Sequence, residues 1–219
     1  MGRPNRALIS RERAARAALD IIDVQGLSGL NLELVAKRLG VKAPSLYYHF
    51  RNKSELLAEV ALCVLRDVRP RIRKGMAWEE AIIRVAVASR REILLHPNAA
   101  PLMLEHFPKR IFLERYDFWA SLCPYPDEIK MVILEAMDKL MFGSAMFASA
   151  ARSKATPELP EFDHEAYPHI GAAARAGPQN DEALFIETLK VFLAGLRYYA
   201  EHDHAWPQSL EAVVRKAAT

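Results

Sequence analysis

A short run of ring-bearing and polar residues, APSLYYHFRNKSE at 43–55, carries the clearest chemistry in the sequence. Tyr47, Tyr48 and His49 are amphipathic groups that can lie along a sugar-phosphate wall and donate hydrogen bonds to phosphate oxygens. Ser45 can exchange hydrogen bonds with a base edge or a phosphate. These side chains therefore predict contact with a nucleic acid. The alternatives are a patch that binds another protein and, for Tyr48 alone, packing against the first helix.

Lys53 indicates the same chemistry from the next element. A lysine in the first turn of a helix opposes the helix macrodipole by roughly 0.3–1 kcal/mol, and a phosphate bound at that terminus removes the conflict. Asn52 and Glu55 have the spacing of a capping box, which predicts that a helix begins here. We therefore expect Lys53 to contact phosphate, and the alternative is an ordinary solvated charge.

The elements that must position these side chains are two short helices joined by a bend. Asn31 is a candidate N-cap for the first, and Gly40 marks its end. The second begins at about Pro44, where a proline in the first turn removes no hydrogen bond, and is about seven or eight residues long. Only Leu46 and Phe50, one turn apart, can both face the scaffold. The pattern predicts a helix-turn-helix whose two tyrosines and histidine stay outside.

A DNA-binding helix-turn-helix places the N-terminal residues of its second helix at base edges in the major groove. Ala43 and Pro44 offer apolar surface suited to a thymine methyl, so direct hydrogen-bond readout is sparse. We predict DNA contacts from Asn31, Lys42, Ala43, Pro44, Ser45, Tyr47, Tyr48, His49 and Lys53.

The charge of the chain is divided unevenly along its length. Residues 1–74 carry 15 basic and 7 acidic side chains, whereas residues 75–219 carry 15 basic and 20 acidic ones. Phosphate attraction needs positive charge only where contact occurs. The division predicts a DNA-binding N-terminal part on a body with a different partner, and chance variation of surface charge is the alternative.

The composition is that of an ordinary soluble protein, with 51% hydrophobic and 26% charged residues among 219. No stretch approaches the roughly 18 apolar residues of a membrane span, and no apolar segment follows the basic start as in a signal peptide. We therefore expect a cytoplasmic protein. Cys63 and Cys123 lie singly in apolar helical patterns, which predicts buried reduced thiols.

Apolar residues recur at intervals of three and four, without the alternation of strands, so an all-α fold is predicted. A loop over 155–180 should hold at most one short helix, because prolines and glycines interrupt it. We predict helices at about 10–25, 31–39, 44–51, 53–69, 78–96, 101–107, 109–122, 128–154 and 181–202.

The two long helices, at about 128–154 and 181–202, have unusual surfaces. The apolar stripe of the second is wider than one neighbour covers, and small residues crowd the second half of the first. Gly143 inside a helix costs about 1 kcal/mol relative to alanine, which indicates that another helix approaches closely. We predict an interchain four-helix bundle about a two-fold axis, and packing inside the monomer is the alternative.

The order of these signals resembles the N-terminal domain of the TetR family of transcriptional repressors. The resemblance covers about residues 10–60 and rests on Gly26 after the first helix, Leu39-Gly40-Val41, Leu46-Tyr47-x-His49-Phe50 and Asn52-Lys53-x-Glu55-Leu56. The chain departs from the family's habit at Lys42 and Pro44, where a Ser or Thr cap followed by a Gly or Thr is usual, so that Lys42 can bind phosphate or base instead. It also departs at Glu33, where some members carry a basic residue.

The resemblance implies an all-helical homodimer that binds a palindromic operator and is released when a small molecule enters its C-terminal domain. It implies a helix-turn-helix DNA-binding domain with a basic arm at 1–52, a connecting helix at 53–74, and a ligand-binding and dimerisation domain at 75–219. The alternative is a helical DNA-binding or interaction protein without a response to small molecules.

Aromatic and flexible apolar residues of the body supply the lining for a ligand pocket. The acidic body favours a neutral or cationic lipophilic ligand. The alternative for each candidate is that it belongs to the plain hydrophobic core. The candidates are His96, Met103, Phe107, Phe112, Tyr116, Trp119, Met137 and Met141.

Motifs of catalysis are absent from the sequence, which contains no GxSxG, HExxH, GxxxxGK[ST] or GxGxxG. We expect no enzymatic activity, no cofactor and no metal site. The alternative is a metal site at His202-Asp203-His204, although histidines at a helix C-terminus are already favoured by the helix dipole.

Overall fold

The structure is a computed structural model that describes residues 9–106, 109–154 and 161–202, without the side chains of 109–112 and of Lys154. The part of the chain described is helical and contains no strand, which confirms the all-α prediction. The helices are α1 (Arg11–Gly29), α2 (Leu32–Leu39), α3 (Ala43–Tyr47), α4 (Lys53–Arg66), α5 (Trp78–Leu95), α6 (Leu102–Glu105), α7 (Lys109–Leu122), α8 (Asp127–Lys154), α9 (Pro168–Ala176) and α10 (Asp181–Glu201).

The first two helices begin at the caps that the sequence predicts. Ser10 Oγ accepts a hydrogen bond from the Arg13 amide at 3.1 Å, and Asn31 Oδ1 accepts one from the Leu34 amide at 2.8 Å. Gly26 has a φ of 72° and interrupts α1, so regular helix ends at the predicted residue and one further turn follows. Gly40, with a φ of 69°, ends α2 in the left-handed conformation that glycine adopts without a Cβ penalty.

The third helix is shorter than predicted, with five residues instead of seven or eight. The His49 amide donates to the Leu46 carbonyl at 2.9 Å, which tightens the last turn and ends the α-helix. The predicted capping box of α4 is formed with a difference. Asn52 Oδ1 accepts from the Glu55 amide at 2.9 Å, but Glu55 Oε2 accepts from the Arg51 amide at 2.8 Å, one residue before the cap.

The body is organised around α5, which packs against α8. α10 contacts both of these helices, and α4 joins the body to the N-terminal part through contacts with α1, α5 and α6. One continuous apolar core therefore runs from the helix-turn-helix into the body. Cys63 and Cys123 are buried free thiols, as predicted.

A buried arginine joins the three long helices of the body. Arg90 on α5 donates from Nε to Ser144 Oγ on α8 at 2.8 Å and from its guanidinium to the Asp181 carboxylate at the start of α10. Its guanidinium also lies 5.2 Å from the ring centre of Phe185 on α10. Because Arg90 is 1% exposed, these contacts replace its hydration.

The outer faces of α8 and α10 leave apolar side chains exposed. Phe147 on α8 is 76% exposed, and Val191 on α10 is 71% exposed. We expected a helix close to Gly143, but among the described residues nothing lies within 4 Å of a Cβ built there. Packing among the described residues of the monomer therefore does not explain this glycine.

Candidate nucleic-acid interface and cavity

The rings of residues 47–50 are divided between the core and the surface. Leu46 and Phe50 are fully buried at 0% exposure, whereas Tyr47 is 53% and Tyr48 is 89% exposed. The Tyr48 ring meets only the His49 ring edge-on among the ring contacts described, with centroids 5.5 Å apart. Tyr48 thus does not pack against α1, and the end of α3 presents aromatic and polar groups to the outside.

The other predicted contacts lie on the same exposed segment or beside it. Lys42, Pro44 and Ser45 are exposed, and Ala43 is partly so. Asn31 is exposed too, but its side chain is engaged as the cap of α2. The residues that open α3 are therefore available to a ligand, and their contact with DNA stays a prediction.

Lys53 lies at the junction of α4 with the kinked end of α1. Its ammonium donates a hydrogen bond to the Leu27 carbonyl at 3.3 Å, and the side chain is partly exposed. Leu27 directly follows the interruption at Gly26, where regular helical hydrogen bonding is lost. An ammonium has three donors, so this bond fixes the position of Lys53 and leaves donors for a phosphate.

Arg11 fixes the turn between α3 and α4. This role was not predicted from the sequence. It donates from Nη1 to the His49 carbonyl at 2.5 Å and to Glu55 at 3.0 Å, and from Nε to Glu59 at 3.2 Å. Its guanidinium lies 4.5 Å from the ring centre of Phe50. These partners lie 38 to 48 residues away in the sequence, so no local pattern identifies them.

Arg51 is a second basic residue of this surface that was not predicted. Its side chain is 92% exposed, and its nearest acidic partner, Glu55, is 3.9 Å away. It stands between the exposed rings and Lys53 in the sequence. Basic residues beside amphipathic side chains are suited to a phosphate backbone.

The body contains a cavity between α4, α5, α7 and α8. Four of the predicted pocket residues, Tyr116, Trp119, Met137 and Met141, line it. The space enclosed within it is about 40 Å³, and about 530 Å³ is empty when the part open to solvent is included. The other lining residues are Leu65, Ile82, Val85, Ala86, Ser89, Arg115, Leu134, Asp138 and Phe142.

The polar groups of this cavity include a tyrosine and a carboxylate. The Tyr116 hydroxyl donates to Asp138 Oδ2 at 2.6 Å. Burial raises the pKa of Asp138 above its ordinary range, and burial together with this hydrogen bond raises the pKa of Tyr116. Asp138 was not predicted, although it occupies an inward position between Leu134 and Met141 at helical spacing. An acidic residue in an apolar stripe is the signal that identifies it.

Two predicted pocket residues lie elsewhere. His96 follows the last turn of α5, and its Nδ1 is 2.8 Å from the Asp23 carboxylate of α1. Met103 is 1% exposed in α6 and belongs to the core. Phe107 and the side chain of Phe112 lie outside the described residues.

The described residues contain no group of three or more potential metal ligands. They also contain no helix that is long and apolar enough to cross a bilayer. Asp203 and His204, which belong to the alternative metal site, lie outside the described residues.

Residues 15–60 match the family model described as bacterial regulatory proteins of the tetR family. Among curated relatives, an HTH-type transcriptional regulator of Saccharopolyspora erythraea is 33% identical over 95 residues, which are 43% of this chain and 40% of the relative. The tetracycline repressor protein class A from transposon 1721 of Escherichia coli is 37% identical over 87 residues, which are 39% of this chain and 40% of the relative. The match thus spans less than half the length of these relatives.

Solved structures match over most of the chain. The transcriptional regulator SCO7222, a TetR from Streptomyces coelicolor, has a TM-score of 0.71 at 23% identity and covers 91% of this chain and 100% of its own. The TetR family protein ActR of the same organism, solved in complex with (S)-DNPA, has a TM-score of 0.70 at 23% identity, with coverage of 89% and 100%. At these identities the similarity shows the fold.

Proposed function

We propose that this chain, whose residues 15–60 match the tetR family model, is a ligand-responsive transcriptional regulator of that family. In this proposal a homodimeric repressor binds a palindromic operator and is released by a small molecule in the body. It acts in the cytoplasm, where its DNA partner is. In the proposed regulator residues 1–52 are the DNA-binding domain and residues 75–219 the ligand-binding and dimerisation domain. Residues 53–74 are the connecting segment, whose helix α4 ends at Arg66 and is shorter than the predicted 53–69.

The observation that carries the proposal is the division of the rings at the end of α3. Leu46 and Phe50 hold the helix on the core, while Tyr47 and Tyr48 are directed outward at a cost in exposed aromatic surface. Arg51 and Lys53 add positive charge beside them. Large exposed rings with adjacent cations are typical of a surface that meets another molecule, and the basic N-terminal part favours DNA.

Exposed apolar stripes on the two long helices support a second copy of the chain as a partner. Leu184, Val191 and Tyr198 recur at intervals of seven on α10, and each is at least 46% exposed. On α8 the exposed Phe147 lies one turn from Gly143, whose open face admits a close helix. Two copies related by a two-fold axis bury both stripes in a four-helix bundle.

The cavity supports the proposed response to a ligand because it shares a helix with the DNA-binding surface. Leu65 near the end of α4 lines the cavity, and Lys53 begins the same helix. These residues are about 18 Å apart at the rise of an α-helix. A ligand that displaces Leu65 therefore moves α4, which also carries the contacts of Arg11 with Glu55 and Glu59.

Footprinting of the purified protein tests this function. We expect a dimer that protects two symmetric half-sites about one helical turn apart, near its own gene. A metabolite that stabilises the protein against heat should also release that DNA. Uniform protection of any duplex would contradict a specific repressor, and specific binding that no ligand relieves would favour the alternative without a small-molecule response.

The predicted phosphate contact of Lys53 has a separate test. We expect Lys53→Ala to weaken binding to all DNA sequences and to reduce the slope of log affinity against log salt by about one unit, because one released counterion is lost. Titrations at four salt concentrations give this slope. Lys74→Ala in the exposed connector removes the same charge away from the predicted surface and should leave the slope unchanged. An equal slope for Lys53→Ala and the unmodified protein would exclude the contact.

A further inference from the structure

We propose that the cavity of the body takes a lipophilic organic cation, an aromatic molecule whose positive nitrogen pairs with the Asp138 carboxylate. The effector role of that cation rests on the proposed function. Its binding to the cavity is measured on the protein alone, so the two are separable.

The carboxylate on the cavity wall is the first step of the argument. Asp138 lies on the inner side of α8 among Leu134, Met137 and Met141. Among the hydrogen bonds of the described residues, Asp138 accepts one, from the Tyr116 hydroxyl to Oδ2 at 2.6 Å. An ionised carboxylate accepts several hydrogen bonds, so Asp138 has acceptor capacity left for a ligand.

The charges and the burial around Asp138 indicate which charge on a ligand would stabilise its carboxylate. Burial raises the pKa of Asp138 even though the hydrogen bond from Tyr116 and the charge of Arg115 both act to lower it. At Asp138 the effect of burial therefore outweighs the charge of the partly exposed Arg115 guanidinium, which also lines the cavity. A cation placed inside the cavity compensates this burial at short range, whereas an anionic ligand is repelled by the same carboxylate.

The walls around the carboxylate match an organic cation better than a hydrated inorganic one. Tyr116, Trp119 and Phe142 supply three aromatic rings, whose faces attract positive charge. Most of the remaining lining is aliphatic, from Leu65 and Ile82 to Met141. Aliphatic walls favour a ligand that carries its charge on an apolar framework.

Calorimetric titration with benzyltrimethylammonium and with its uncharged carbon isostere, neopentylbenzene, tests the proposal. We expect the cation to bind the unmodified protein at least about tenfold more tightly than the isostere, the factor given by one partly desolvated charge pair. Asp138→Asn keeps the shape and the acceptor for Tyr116 and should remove this preference. Glu135→Gln, one turn away and exposed, removes the same charge outside the cavity and should preserve it.

The pH dependence of the unmodified protein gives a second measurement that needs no variant. The probe is permanently charged, and Tyr116 and Arg115 of α7 keep their protons at acidic pH. The lining residues of α4 and α5, which are Leu65, Ile82, Val85, Ala86 and Ser89, do not titrate. Glu135 is exposed and also titrates, and the Glu135→Gln variant measures its contribution to the pH dependence. Because the pKa of Asp138 is raised, affinity should fall on acidification before an ordinary aspartate is protonated.

Each outcome decides the proposal. Equal affinities for the cation and its isostere, or an unchanged preference in Asp138→Asn, would overturn the cation site. Affinity for the cation that does not change between neutral pH and the ordinary pKa of aspartate would also overturn it. A cation that binds through Asp138 but leaves operator DNA bound supports the site and contradicts the effector role in the proposed function.

Discussion

Arg90→Met is expected to lower the free energy of unfolding by about 3 kcal/mol, the lower end of the cost of breaking a buried ion pair. The side chain of Arg90 is 2% exposed, whereas that of its partner Asp181 is 38% exposed. The lower end applies because Asp181 regains some water when Arg90 is replaced. Ser144 also loses its donor, and Phe185 loses the cation over its ring. A domain of this size should lose roughly 6–12 °C in Tm, measured by circular dichroism.

The neighbouring arginine provides a matched control for this experiment. Arg91 pairs with Glu182, the residue after Asp181, but its side chain is 62% exposed. An exposed pair contributes less than about 1 kcal/mol, so Arg91→Met should change Tm little. Similar losses in the two variants would mean that Arg90 acts only as a surface charge and does not join α5, α8 and α10.

The rings that follow α3 give the second large prediction, because Phe50→Ala should lower stability whereas Tyr48→Ala should lower only the affinity for DNA. Phe50→Ala removes a fully buried ring that packs beneath Arg11, and the expected loss of unfolding free energy is about 3–5 kcal/mol. Operator binding should be lost with the fold of the N-terminal part. Urea unfolding monitored by circular dichroism gives the stability, and fluorescence anisotropy gives the DNA affinity.

Tyr48→Ala should leave stability within about 0.5 kcal/mol, because 89% of Tyr48 is exposed. Operator affinity should nevertheless fall by roughly fivefold to tenfold, which corresponds to the loss of one positioning contact. Unchanged DNA affinity in Tyr48→Ala, together with a normal fold, would remove this ring from the proposed interface. A destabilised Tyr48→Ala would show that the ring packs on the protein after all.

Local features of the fold were predictable because their causes lie within a few residues. The caps at Ser10, Asn31 and Asn52 each satisfy an amide three residues ahead, and Gly40 ends α2 through its own backbone conformation. The burial of Leu46 and Phe50 followed from helical spacing alone. The length of α3 was overestimated, because spacing does not reveal where an i to i+3 bond tightens a turn.

The cavity was predicted only in part, because residue type does not reveal which side of the core a side chain faces. Tyr116 and Trp119 line the cavity, whereas Met103, equally apolar, is packed against other elements. His96 was expected in the pocket, but it contacts Asp23 across the junction of α1 and α5. Asp23 lies 73 residues from His96 in the sequence, so the crossing of the helices determines that the two side chains meet.

The sequence by itself determined the helices, their caps, the basic N-terminal part and the outward rings of Tyr47 and Tyr48, because helix formation and amphipathicity depend on neighbours in the chain. His49, which was predicted to stay outside, is partly buried. Only the tertiary structure decided that Arg11 holds the turn after α3, that Arg90 joins three helices, and that Asp138 faces a cavity. Those contacts depend on desolvation at helix crossings, where residues distant in sequence must pair because water is excluded.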